Sequence, residues 1–182
     1  MLKNIGYNIN QNGNLISLNS TIKQINNIHM DIPGDISSAS FFIGAACMIP
    51  NSDLRINNVL MNDTRIGFIK VLKKMGAGII IHNKKNINGE KTGDIQIYYK
   101  PLYGINIGKE DIPSIIDEIP ILSIVATQAE GTTIISGAEE LRYKETDRIK
   151  AITINLKKMG VKIIEKKDGV MIEGPSILNK AN

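Results

Sequence analysis

Leu156-Lys157-Lys158-Met159-Gly160 decides the fold, because the chain contains it more than once. Leu72-Lys73-Lys74-Met75-Gly76 repeats it, and Leu2-Lys3-Asn4-Ile5-Gly6 is a looser copy. Self-similarity at a long period marks a repeat architecture. Upstream of the last copy, Ile149, Ile152, Leu156 and Met159 fall at i, i+3, i+7 and i+10, one face of a helix. Phe68, Leu72 and Met75 keep that phase in the middle copy. The glycine that follows reads as a helix C-cap, where a positive φ meets no Cβ penalty.

A strand pair follows each copy. After Gly6 come Tyr7-Asn8-Ile9, Asn12-Gly13 and Leu15-Ile16-Ser17-Leu18; after Gly160 come 161–164, Asp168-Gly169 and Val170-Met171-Ile172. Asn-Gly and Asp-Gly between apolar runs predict hairpins, closed by a type I′ turn with two positive φ values. The middle copy predicts strands at 79–81 and 95–99 around a polar loop at 83–93. The front half recurs as well. Asp31-Ile32-Pro33 and Asp111-Ile112-Pro113 each lead into a buried helix, 37–49 and 116–128, then a turn and a strand, 54–60 and 132–136. The fold class is therefore α+β, built from βαβαββ units of about 70 residues. Residues 30–103 and 104–175 read as complete copies, and 1–28 as the tail of another. The chain is expected to be a piece of a longer protein.

Composition narrows the class. A length of 182 residues suffices for one cored domain or two small ones, and 42% hydrophobic with 22% charged residues is an ordinary globular balance. No run of 18 apolar residues offers a membrane span, and Met1-Leu2-Lys3-Asn4 has no apolar signal core. The single Cys47 excludes an internal disulfide framework and fits a reducing cytoplasm; its place in an apolar helix makes it a core residue. His29 and His82 lack partners at metal spacing and read as strand-end residues, so no metal is expected. The net charge of +4 comes from 18 Lys and four Arg. The Lys pairs are scattered and aromatics are 4%, which argues against nucleic acid as a partner.

Three stretches could carry chemistry. Pro33-Gly34-Asp35-Ile36-Ser37-Ser38 is a turn with Asp35 or Ser37 as helix cap, or a helix mouth whose serines face an anion. Asp117 and Glu118 precede an almost wholly apolar helix. They either complement the helix dipole or supply a partly desolvated base. The third stretch is 139–148, Glu-Glu-Leu-Arg-Tyr-Lys-Glu-Thr-Asp-Arg, with two of the four arginines. Lys144 and Arg148, four apart, would share a first helical turn capped by Thr146 or Asp147. Cations there oppose the dipole unless an anion lies between them. Glu145 could then carry a proton; a surface cluster of compensating charges is the alternative.

Asp-Ile-Pro-Gly-Asp-Ile-Ser-Ser-Ala-Ser-Phe-Phe (31–42), Ile-Asp-Glu-Ile-Pro-Ile-Leu (116–122), Ala-Thr-Gln-Ala-Glu-Gly-Thr-Thr (126–133) and Ala-Glu-Glu-Leu-Arg-Tyr-Lys-Glu-Thr-Asp-Arg-Ile (138–149) resemble the EPSP synthase family, in order and over nearly the whole chain. The sister enzymes that act on a UDP-sugar match this segment poorly. The resemblance implies two domains, each of three βαβαββ units about a pseudo-threefold (an inverse α/β prism). Residues 1–28 would end the first domain, and 29–182 would supply two units of the second. It also implies enolpyruvyl transfer from phosphoenolpyruvate to the 5-hydroxyl of shikimate 3-phosphate, by addition and then elimination, with no metal or organic cofactor. By motif, Asp117 resembles the base on the shikimate hydroxyls and Lys144 a ligand of the shikimate phosphate. Glu145 resembles the acid that protonates the methylene carbon, and Arg148 a phosphoenolpyruvate ligand. Glu140 stands where some members carry an Asn contact, so that contact is not transferred.

The family's remaining ligands (an N-terminal Lys-Ser and Arg, a Ser-Ser-Gln cluster, a glycine-rich loop, a later Asp-His-Arg and Lys) have no counterpart here. The chain alone is therefore expected to be inactive. The full-length enzyme is expected to be a monomer. A domain cut to two units should expose strand edges and an apolar face and self-associate. Two other readings are a catalytically empty interaction module and a basic nucleic-acid-binding relative. Retention of Asp117, Lys144, Glu145 and Arg148 together argues against the first, and the shortage of Arg and aromatics against the second.

Overall fold

The computed structural model describes residues 2–19, 27, 31–87 and 89–180. The expectation for His29 and the division at 28/29 lie outside these residues. A short 3-10 turn, Leu2–Ile5, precedes a hairpin of β1 (Asn8–Asn12) and β2 (Leu15–Asn19). Then come α1 (Ile36–Met48), β3 (Asp53–Leu60), α2 (Gly67–Lys74), β4 (Gly78–Ile87) and β5 (Glu90–Tyr98). After them come β6 (Asn106–Ile107), α3 (Ile119–Ala126), β7 (Gly131–Ile135), α4 (Arg148–Lys158), β8 (Lys162–Lys166) and β9 (Gly169–Gly174).

The two sheets repeat one topology. The strand orders are β3-β5-β4 and β6-β7-β9-β8. In each, the last strand lies between its two antiparallel partners. The opening segment runs parallel to the next strand, as a helical crossover requires. In the second unit this is β6 on β7; in the first, among the described residues, it is a bridge of Gly34 with Val59. The three glycines that closed the repeated pentapeptide all have positive φ: 101° at Gly6, 98° at Gly76 and 87° at Gly160. Phe68, Leu72 and Met75 are fully buried; Ile149 and Leu156 are buried, with Ile152 and Met159 half-buried at the rim.

Several expectations change. The polar stretch 83–93 is mostly ladder: β4 and β5 pair as far as Ile87 with Glu90, because backbone hydrogen bonds need no apolar side chains. The ladder bulges between His82 and Lys85, and His82 lies inside β4 opposite Asp94, its ring hydrogen-bonded to the Gln96 side chain, rather than ending a strand. The helix expected at 116–128 is shorter, since Pro120 belongs in a first turn and Glu118 takes the cap position. The hairpins do not close with two positive φ values. Of the loop residues Gly13 and Asn14 only Gly13 is left-handed, at 58°, and Lys167-Asp168 has none. Gly169 is needed for closeness instead, because a Cβ there would sit 1.9 Å from the Ile135 carbonyl oxygen.

The units join through their first helices. A Cβ on Gly44 of α1 would meet Ile121 and Val125 of α3 at 3.1–3.3 Å, so the two helices approach at van der Waals contact. Gly67, opening α2, is tighter still: a Cβ would fall 2.1 Å from Ser114 Oγ. Lys74 Nζ pairs with Asp111 at 3.0 Å across the same joint. This joint holds residues before α3 beside the loop that enters α2, which positions the site.

Candidate active site

Asp117 lies in the turn before α3, its side chain 47% exposed. Arg148, the first residue of α4, places Nη1 3.6 Å from Asp117 Oδ1, and its Nη2 donates to Glu145 Oε2 at 3.0 Å. From the other unit, Arg65 places Nη1 4.0 Å from Asp117 Oδ2. Both separations exceed the ~2.7–2.9 Å of a charge-assisted hydrogen bond. The carboxylate is paired by charge on both sides, and its oxygens stay open to a further donor.

Asp147 caps α4, accepting from the Lys150 amide at 2.9 Å. Helix therefore begins at Arg148, and Lys144 falls before it in extended backbone, so the two cations do not share a helical turn. Lys144 pairs with Glu140 at 3.5 Å. It nevertheless acts on Glu145, whose carboxyl is held below the usual range. The largest cause is Glu145's own backbone amide, then the Arg148 guanidinium, with Lys144 adding to both. Asp117, Glu145 and Arg148 are thus joined directly, and Lys144 borders them.

The second arginine of this stretch plays another part. Arg142 donates from Nε to the Lys167 carbonyl at 2.6 Å and from Nη2 to the Lys166 carbonyl at 2.5 Å. Its Nη1 reaches Asp147 at 2.8 Å and Glu165 at 2.9 Å. It ties the β8–β9 turn to the cap of α4, with four of its five N–H donors engaged within the fold. The serines before α1 are engaged as well. Asp35 is the cap, accepting from the Ser38 amide and hydroxyl, while Ser37 Oγ accepts from Arg65 Nη2 at 2.8 Å and donates to Glu118. Of the acids before α3, Glu118 is the buried one. Its side chain makes no capping bond and faces Ser37 instead.

Arg65 was not singled out in the sequence. The signal was there: it stands seven residues before Leu72, as Arg148 stands eight before Leu156, each at the mouth of its unit's second helix. Among the described residues no three His, Cys, Asp or Glu side chains gather as a metal site. Burial pushes the Cys47 thiol up to about 11, the state of a core thiol rather than a nucleophile. No helix among the described residues is long and apolar enough to cross a membrane.

Paired βαβαββ units of this topology have the fold of the enolpyruvyl transferases. The enolpyruvyl transferase NikO from Streptomyces tendae superposes with a TM-score of 0.68 over 96% of this chain and 38% of its own; at 15% identity this shows the fold alone. The family itself follows from closer matches. The model of EPSP synthase (3-phosphoshikimate 1-carboxyvinyltransferase) matches residues 1–182, and the chain belongs to that family. A 3-phosphoshikimate 1-carboxyvinyltransferase from Thermodesulfovibrio yellowstonii is 53% identical over 176 residues, 96% of this chain and 41% of the relative. One from Oceanobacillus iheyensis is 46% identical over all 182, 42% of its length. The solved EPSP synthase from Acinetobacter baumannii superposes with a TM-score of 0.91 at 39% identity, covering 99% of this chain and 40% of that one. The chain thus spans about two fifths of the relatives it matches.

Proposed function

We propose that this chain carries one wall of an active site that transfers the enolpyruvyl group of phosphoenolpyruvate to the 5-hydroxyl of shikimate 3-phosphate, giving 5-enolpyruvylshikimate 3-phosphate and phosphate. The observation that supports this best is Asp117, open to solvent between Arg148 and Arg65, with Glu145 on the far side of Arg148. Asp117 accepts the hydroxyl proton as that oxygen attacks C2 of phosphoenolpyruvate. Glu145 protonates the methylene carbon, Arg148 holds the phosphoenolpyruvate anion and Lys144 the shikimate phosphate. Elimination then expels phosphate as a proton leaves the new methyl group.

The charge state of Glu145 fits this division of labour. In the free chain its own backbone amide most of all, then Arg148 and lastly Lys144, hold its carboxyl below the usual range. Anions that engage both cations withdraw the cations' part of that support and raise its proton affinity at the moment a proton is needed.

In this reading residues 1–28 close the first domain, and 29–182 form two units of the second, in an enzyme of the cytoplasm acting as a monomer. The chain alone lacks the facing groups and is inactive. Its exposed Phe41 (62%) and Phe42 (65%) on α1 favour self-association. Titrating the 15N-labelled chain with shikimate 3-phosphate and phosphoenolpyruvate is expected to move the amide resonances at 117 and 144–148, without phosphate release. Resonances that stay fixed at millimolar ligand would refute the site; release at ordinary enzyme rates would refute the inactivity.

A further inference from the structure

Resting on that placement of Asp117, we infer that Arg65 is a positioning residue for it, held in place by a relay that crosses from one unit to the other. The relay begins at Glu118, which is 4% exposed and accepts from the Ser37 hydroxyl. With its proton committed to Glu118, Ser37 Oγ presents a lone pair to Arg65 Nη2, 2.8 Å away. One nitrogen of the Arg65 fork is thereby anchored, and the other, Nη1, stands 4.0 Å from Asp117 Oδ2. A planar guanidinium held at one corner has a defined second corner; an ammonium on a flexible stem does not.

Arg65 differs from Arg148 in what it is free to do. Arg148 bonds Glu145, a side chain 81% exposed, and is released at little cost when an anion arrives. Arg65 is tied back to a buried carboxylate. When Arg148 turns to an anionic ligand, Arg65 remains as the cation that keeps Asp117 aimed. The two residues before α3 thus divide the work: Asp117 faces the ligand, and Glu118, next in the chain, anchors the arginine that orients it. Ser37 and Arg65 belong to the first unit and Asp117 and Glu118 to the second. The orientation of Asp117 therefore depends on the α1–α3 joint.

The test reads Asp117 directly in the 182-residue chain, without ligand. Three-bond N–Cγ and C′–Cγ couplings report its χ1. The wild-type chain is expected to give single-rotamer values, and Arg65→Gln and Ser37→Ala to give rotamer-averaged ones. Arg65→Lys is expected to average them as well, because an ammonium on a flexible stem lacks the fixed second corner of the guanidinium fork. Melting temperatures of the two Arg65 variants should stay close to wild type, since Arg65 is half-exposed, whereas Ser37→Ala should melt lower because it deprives buried Glu118 of a hydrogen bond. Averaged couplings in the wild type, or single-rotamer couplings kept in any of the three variants, would overturn the inference. Failure of the site reading shows elsewhere, as absent resonance changes when shikimate 3-phosphate is added to the wild-type chain.

Discussion

Replacing the two arginines of 139–148 one at a time should give opposite results. Arg142 makes four hydrogen bonds at 2.5–2.9 Å, two to carboxylates and two to backbone carbonyls, with only 21% of its side chain exposed. Hydrogen bonds to charged groups are each worth about 1.5–3 kcal/mol, and groups left unsatisfied cost about 1–3 kcal/mol. Water reaches part of the vacated space, so these do not sum; Arg142→Ala is expected to cost about 2–3 kcal/mol. For a chain of this size that lowers the melting temperature by about 4–12 °C. Arg148→Ala removes ion pairs to the half-exposed Asp117 and the exposed Glu145, worth about 0–1 kcal/mol, and a cation the helix dipole disfavours, so stability should change by less than about 0.5 kcal/mol. Urea unfolding followed by circular dichroism at 222 nm measures both. A loss below about 0.5 kcal/mol for Arg142→Ala, or above about 1.5 kcal/mol for Arg148→Ala, would refute the division of the pair into fold and site.

Gly169→Ala should destabilise by about 2 kcal/mol or more, because its Cβ would strike the Ile135 carbonyl and lift β9 from β7. Gly131→Ala, with φ at 92° but nothing within 4 Å, should cost only about 1 kcal/mol of backbone strain; equal losses in urea unfolding would contradict the packing argument. Cys47 should resist a disulfide exchange reagent in the native chain and react fully in 6 M guanidinium, since its thiol is buried with its pKa raised to about 11. Rapid native labelling would refute its burial. Acid should act through the helix caps. The Ser38 amide lowers the carboxyl of Asp35 and the Lys150 amide that of Asp147. Each binds its proton less readily folded than unfolded, so its stabilisation is complete above the unfolded value of ~3.9 and is lost as pH falls through the lower folded value. Asp147→Asn should flatten the slope of stability against pH below ~4; an unchanged slope would count against the cap.

The repeat was legible because it rests on spacing. Apolar residues at helical intervals and a glycine at each helix end are local requirements, and all three glycines adopt positive φ. The candidate carboxylates and cations were legible because Asp117, Lys144, Glu145 and Arg148 lie in compact motifs. What spacing could not separate was Arg142 from Arg148. Both are arginines of one short stretch, and only the returning β8–β9 turn, 23–25 residues further on, occupies the first. Gly169 is a similar case. Its motif promised a left-handed turn, but the residue is small because β7 crosses close by.

The sequence by itself determined the βαβαββ repeat, the glycines that close its repeated pentapeptide and the motifs of the EPSP synthase family, since each depends on residues a few positions apart. Only the tertiary structure decided which acid of the pair Asp117 and Glu118 faces solvent, which arginine serves the fold, and that Arg65 belongs beside Asp117. The part played by Arg142 follows from the returning β8–β9 turn, and the other two outcomes from the contact of α1 with α3, which brings together residues more than 50 positions apart. Chain periodicity carries no record of which side chains meet across such a joint.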